Sequence, residues 1–259
     1  MAADQTPQNI YDDPDFFAGY SRLERFGSGW TKAYEYRDFM ALLPDVAGRR
    51  VLDLGCGVGR LAHHLAAGGA SEVIGVDLSE RMLALARAEC SHPRLSYVRE
   101  SIEQVRYPPD RFDLVVSSLA FHYVEDYQGL IRRIAGWLVP GGILVYSTEH
   151  PVYLTRASTE GWIRDAEGQR LHWAVDDYAE EGLREEHWIK QGVQKYHRTL
   201  ATLLNGLIDA GLSIERIVEP VPTPEALARH PDWIDERRRP FCLLVRAGKG
   251  QGAVVSQLR

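Results

Sequence analysis

Five residues in the first third of the chain could do chemistry together: Asp53, Gly55, Gly57, Gly59 and Asp77. The stretch 51–60, VLDLGCGVGR, runs an apolar segment into three glycines at alternate positions. Lacking a Cβ, such positions let the backbone turn sharply and approach a ligand closely. Nucleotide and dinucleotide sites also use glycine turns, so the triplet alone chooses no ligand. Asp53 narrows the choice. A carboxylate two residues before the first glycine would repel a pyrophosphate resting on the turn, yet it suits a ligand that brings an ammonium or a sulfonium. Asp77 ends a second apolar run, SEVIGVD at 71–77, twenty residues after Gly57. At that spacing a carboxylate holds both hydroxyls of a ribose. Leu78 follows it directly and Met82 lies one helical turn on, so the two could sandwich an adenine ring.

These residues need strand ends to hold them. Short apolar runs predict strands near 51–54, 71–77, 95–99, 111–118, 143–148, 212–219 and 239–246, and helical periodicity predicts helices at 28–43, 60–67, 78–90, 126–138 and 195–210. Asp13 and Pro14 read as the cap and first turn of an additional short helix. The strand–helix alternation implies an α/β fold, a doubly wound, mostly parallel seven-stranded sheet with helices on both faces. It breaks at Glu149. The segment 149–194 is too long for a structureless connection and is expected to be an insertion after the fifth strand. Residues 11–248 are expected to form one domain, with 1–44 as a helical cap and 1–10 and 249–259 as loose tails.

Composition excludes several classes of partner. A net charge of −6 offers no general attraction for phosphate backbones, so no nucleic-acid partner is expected. Cys56, Cys90 and Cys242 are odd in number and scattered, which fits a reducing, cytoplasmic setting. The histidines and cysteines show no metal-ligand spacing, and no metal is expected. Residues 1–17 lack a basic start and an apolar core, and no apolar run approaches the roughly 20 residues a membrane span needs.

The motifs VLDLGCGVGR (51–60), VIGVDLSERML (73–83) and FDLVVSSLAFHYV (112–124) resemble those of the class I S-adenosylmethionine-dependent methyltransferases, specifically the small type 11 group. The resemblance covers residues 45–150 and implies a Rossmann-like methyltransferase fold, S-adenosyl-L-methionine as cofactor, and methyl transfer. It also implies that the last two strands form an antiparallel hairpin at one sheet edge. Tyr11 and Tyr20 would fold over the cofactor, and the segment from Ser117 to Val124 would take its methionine end. Where the family carries an aspartate that accepts the adenine amino group, this chain has Ser101, followed by Ile102; a hydroxyl can accept that bond, less strongly than a carboxylate.

The acceptor side is read from position. His122 and Tyr123 follow the fourth strand and His150 the fifth, and Tyr196 and His197 are expected to open the helix after the insertion. His122 is either a packed histidine beneath the cofactor or an acid–base group, with His150 second and Tyr196 or His197 as orienting partners. The insertion carries ten acids against five bases between Glu149 and Lys190. It is either a solvated face or a lid over a small-molecule acceptor, with Trp162 and Trp188 as pocket walls. An oxygen or nitrogen nucleophile is expected as acceptor. Two rival readings stand beside this one. An NAD-dependent oxidoreductase shares the glycine turn and Asp77 but leaves Asp53 unexplained. A non-catalytic S-adenosylmethionine-binding protein has the unbroken turn and the long insertion against it.

Overall fold

The computed structural model describes residues 7–23, 25–155 and 161–251; of the tails expected at 1–10 and 249–259, residues 1–6 and 252–259 lie outside the described residues. The chain begins with helices α1 (Pro14–Tyr20) and α2 (Tyr36–Leu42). It then alternates through β1 (Arg50–Leu54), α3 (Arg60–Ala67), β2 (Glu72–Asp77), α4 (Glu80–Glu89), β3 (Leu95–Arg99), β4 (Phe112–Ser118), α5 (Tyr127–Trp137) and β5 (Leu138–Glu149). Four strands follow, β6 (Trp162–Arg164), β7 (Arg170–Trp173), β8 (Gly182–Trp188) and β9 (Lys190–His197). The described chain closes with α6 (Leu200–Asp209), β10 (Leu212–Val218), α7 (Pro224–Arg229) and β11 (Cys242–Lys249).

Seven strands form one sheet in the order β10-β11-β5-β4-β1-β2-β3. β1 to β5 run parallel, and β11 lies antiparallel between β5 and β10. From β1 the chain moves outward to β2 and β3, then returns to place β4 on β1's other side. The connections therefore leave in opposite directions at β1 and β4 and open a crevice at the carboxyl ends of those strands. Strand alternation divides the core. Leu52, Val115, Leu144 and Tyr146 pack against α5 and α6, while Val51, Leu114, Val116 and Val145 pack against α2 and α3. The amphipathic pattern of α3 buries Leu61, Ala62, Leu65 and Ala66 on that second face.

One hydroxyl joins three elements of the first face. Tyr127 of α5 donates to the carbonyl of Leu203 in α6 at 3.0 Å and is 2.9 Å from the hydroxyl of Tyr146 in β5. All three side chains are buried.

Three expectations change. The helix expected at 28–43 is a 3-10 turn, Gly27–Lys32, followed by α2, with an extended residue, Ala33, between them. Glycines at 27 and 29 weaken the first half, and Trp30 sits edge-on to Tyr36 at 4.8 Å. The helix expected from residue 195 begins at Leu200, capped by the Thr199 hydroxyl, which accepts from the amide of Thr202. Residues 190–197 are instead a strand whose Val193, Lys195 and His197 are buried at period two. The segment after β5 is two antiparallel hairpins, β6–β7 and β8–β9, the second turning at Ile189 with φ +65°. Ordered structure also reaches past both expected limits. Gln8 bonds to Gly192 and Gln194, and at the other end of the chain Lys249 donates to the Leu138 carbonyl.

Replacing Tyr127 with Phe removes the donor to Leu203 and a partner of Tyr146 while leaving the ring packing in place. Urea unfolding should show a loss of about 1–3 kcal/mol, and an unchanged midpoint would contradict this linkage.

Candidate active site

The crevice between β1 and β4 leads into a cavity of about 580 Å³. In the turn after β1, Gly55, Gly57 and Gly59 have φ of +74°, +53° and +77°, a region that favours glycine. A Cβ on Gly55 would stand 2.4 Å from that of Ala120, whereas one on Gly57 would meet nothing within 4 Å. Gly57 thus leaves open space on the cavity wall. Its amide donates to Asp77 Oδ2 at 2.8 Å, and the amide of Ser79 donates to Oδ1 at 2.9 Å. Burial pushes the Asp77 pKa up, opposed by these two bonds. Leu78, Met82, Ser101 and Ile102 line the wall beside it. The Ser101 hydroxyl already accepts from the amide of Glu103 at 3.1 Å. A carboxylate beside bare glycine and an apolar slot fits the ribose and base of an adenosine ligand.

The N-terminal segment is tied to this half. Asp12 accepts from the Ser79 hydroxyl at 2.6 Å and the Arg81 amide at 3.0 Å, placing a carboxylate at the amino end of α4, where the helix dipole favours it. Tyr11 is thereby set over the cavity with its hydroxyl 3.0 Å from that of Tyr123 and its ring edge-on to Tyr20. Burial raises the pKa of all three tyrosines, so they remain neutral phenols.

The other half is organised by Lys195, which is 1% exposed. Its ammonium lies 2.7 Å from Glu149 Oε1 and 2.8 Å from Glu186 Oε2, and it faces the rings of Trp188 at 5.2 Å and Tyr153 at 5.9 Å. Burial works against its charge, but the two carboxylates hold its pKa above the usual lysine value. Burial raises the pKa of both acids, with Lys195 opposing. Glu149 Oε2 has no hydrogen-bond partner among the described residues.

The residues singled out from sequence divide at this point. Tyr11, Tyr20, Gly55, Gly57, Asp77, Leu78, Met82, Ser101, Ile102, His122, Tyr123, Trp188 and Tyr196 all line the cavity. Asp53 does not. It is 1% exposed beneath the turn, with Oδ2 unpartnered among the described residues, and burial, reinforced by the Asp77 charge, pushes its pKa up to about 8. Ser117 is fully buried and donates to the Leu54 carbonyl at 2.8 Å; its neighbour Ser118 reaches the cavity instead. His150 is turned away, because it follows Glu149 and adjacent residues at a strand end face opposite sides. Its Nδ1 accepts from the Val152 amide and its Nε2 lies 2.9 Å from Glu219. His197 contacts the Tyr178 carbonyl at 2.9 Å and borders a separate recess. Trp162 packs on Trp173 and under Arg238 within the first hairpin.

His122 reaches the cavity, but its Nδ1 accepts from the Glu149 amide at 3.3 Å. Burial and the charges of Lys195 and Arg198 hold its pKa well below the usual histidine value. A neutral ring that accepts there carries its proton on Nε2, the nitrogen 3.9 Å from Glu149 Oε1. Glu149, Lys195, Glu186 and Tyr153 were missed. The signal was present for Lys195, since 190–197 alternates with the lysine in the inward register.

Comparison with known proteins agrees with this geometry. The family described as a methyltransferase domain matches residues 52–146. A crystal structure of an S-adenosylmethionine-dependent methyltransferase from Mesorhizobium loti aligns with a TM-score of 0.78 at 45% identity, covering 84% of this chain and 98% of that one. A structure from Listeria monocytogenes assigned to the same class gives 0.80 at 38% identity over 86% and 100%. An uncharacterised Haemophilus influenzae protein is 36% identical over 93% of this chain and 97% of its own length. Fold and site thus define a class I enzyme that uses S-adenosylmethionine. The chain belongs to the S-adenosylmethionine-dependent methyltransferases. This sets aside the NAD-dependent reading.

Two measurements check the cofactor half. Gly57→Ala should fold at a cost of about 1–2 kcal/mol for its left-handed backbone but weaken S-adenosylhomocysteine binding, because its methyl enters the space beside Asp77. Gly55→Ala should lose more stability through its clash with Ala120, and equal losses would contradict the packing. Asp53 ordinarily titrates at 3.8 and here at about 8, so the folded state holds a proton that the unfolded state has lost. Its stabilising contribution is complete below 3.8 and declines until the pH passes 8. The gain in Tm of Asp53→Asn over wild type should therefore grow between those limits; a gain independent of pH would rule out the buried carboxyl as its source.

Proposed function

We propose that this enzyme methylates an oxygen or nitrogen atom of a small-molecule acceptor held between the cofactor half and the Lys195 cluster. The observation that carries this reading is that side chains from two separate segments line the cavity opposite the glycine turn. Trp188 and Lys195 come from the second hairpin, and Tyr11 and Tyr20 come from the N-terminal segment. The two segments are tied to each other by Gln8, which donates to the Gly192 carbonyl at 2.8 Å. A cavity of about 580 Å³ has the scale of ordinary small-molecule sites, and the net charge of −6 gives nucleic acid no general attraction. Among the described residues no helix is long and apolar enough to cross a membrane. The three cysteines are unpaired and buried, in keeping with a cytoplasmic enzyme.

When bound, S-adenosylmethionine supplies a methyl group already activated on a sulfonium. The protein's part is then to align the acceptor and exclude water, which can account for roughly 7–11 kcal/mol of a barrier. Asp77 holds the ribose hydroxyls, Leu78 and Met82 flank the base, and Ser101 and Ile102 complete that wall. Tyr11, Tyr20 and Tyr123 cover the reacting centre. Trp188 and Tyr196 form the acceptor wall, and the β8–β9 hairpin acts as its lid. His122 positions Glu149 through the backbone bond rather than taking a proton.

Incubation with methyl-labelled cofactor should place label in the low-molecular-mass fraction of a metabolite extract, and label confined to protein or RNA would overturn the reading. Asp77→Ala should weaken S-adenosylhomocysteine binding about ten- to a hundredfold with the fold intact by circular dichroism. Amide exchange across 182–197 should slow when S-adenosylhomocysteine and extract are both present; unchanged exchange there would remove the lid.

A further inference from the structure

We propose that the acceptor binds as an ammonium ion, a protonated primary or secondary amine, against surplus carboxylate charge at the Glu149–Lys195–Glu186 cluster. This rests on the small-molecule reading above and narrows its acceptor to one chemical class. The argument is a charge count around the acceptor end. Arg25 lies 3.0 Å from Glu35, and Arg239 lies 2.7 Å from Glu236, each cation with one carboxylate among the described residues. Lys195 alone serves two. With both carboxylates ionised, the cluster carries one negative charge more than its lysine balances. A buried carboxylate in that position is costly unless a cation or proton compensates it.

The walls suit a positive nitrogen. Trp188 and Tyr153 already face the ammonium of Lys195, and the hydroxyls of Tyr11 and Tyr123 lie close by on the same cavity. An incoming ammonium can donate to Glu149 and rest against an aromatic face. A carboxylate or phosphate acceptor would instead add a second uncompensated anion, since each of these three cations is already paired. In the reaction the ammonium proton passes to Glu149, the freed lone pair forms the nitrogen–methyl bond, and the carbon–sulfur bond breaks with its electrons kept by sulfur. Glu149 is thus the catalytic residue, and Lys195 and Glu186 position it and set its charge.

The test uses three probes of one shape, benzylammonium, benzyl alcohol and benzoate, titrated calorimetrically into the full chain saturated with S-adenosylhomocysteine. Benzylammonium should bind at least about tenfold more tightly than benzyl alcohol, and benzoate should not bind. Glu186→Gln removes the surplus charge and keeps the Lys195–Glu149 pair, so the preference for benzylammonium should collapse while S-adenosylhomocysteine affinity is unchanged. Trp188→Leu supplies a second arm should that variant fail to fold, and it should weaken benzylammonium more than benzyl alcohol. Benzoate binding as tight as benzylammonium, or no benzylammonium binding up to about 10 mM, overturns the proposal. So does a Glu186→Gln variant that loses S-adenosylmethionine affinity relative to S-adenosylhomocysteine, which would assign the surplus charge to the sulfonium. If label from the extract enters alcohols alone, the small-molecule reading stands and the amine reading falls.

Discussion

The reversal of strand order at β1 and β4 is the constraint on which this site depends. Parallel strands must be joined by crossovers, and where successive crossovers leave in opposite directions the strand ends between them stay uncovered. Two consequences follow. The glycine turn after β1 can present bare backbone to a ligand, and Asp77 at the end of β2 lies beside it, held by the amides of Gly57 and Ser79. The uncovered edge also needs a wall from elsewhere in the chain, which the N-terminal segment and the β8–β9 hairpin supply.

Ion pairing on the hairpin helps to secure that wall, beside the packing of Phe16 and Tyr20 on Trp188. Lys195 brings two carboxylates out of water, and burying such a group costs several kcal/mol per ion before mutual attraction offsets it. Breaking an arrangement of this kind is strongly destabilising, so it fixes the hairpin's position without making the protein especially stable. The same reasoning explains the N-terminal segment. Asp12 is held by a hydroxyl and backbone amides at the start of α4, an interaction that depends on geometry and therefore places Tyr11 in one position.

The tyrosines and histidines of the cavity show how burial decides protonation. Tyr11, Tyr20 and Tyr123 are kept neutral, and His122 is kept uncharged with its Nδ1 occupied. These groups can donate and orient but bring no charge to the cavity wall. Charge on the cavity wall is left to the carboxylates and the cations beside them.

Much of this was legible in the residues alone, where a local pattern carried the information. The five parallel strands, the glycine turn, Asp77 and the apolar slot of Leu78 and Met82 all follow from runs and spacings within about 30 residues, the length of a single strand–helix–strand unit. What could not be read locally was pairing at a distance. Glu149 and Lys195 stand 46 positions apart, and nothing near either one announces the other. His150 and His197 stand behind His122 as sequence candidates because each is expected near the crevice, yet which way a side chain faces is set by strand register. Register placed Glu149 on the cavity and turned His150 toward Glu219. Residue type and spacing determined the glycine turn and the Asp77 side of the cavity; the tertiary structure decided the Lys195 side, because that side is built by long-range ion pairing and by the side of a strand a residue occupies.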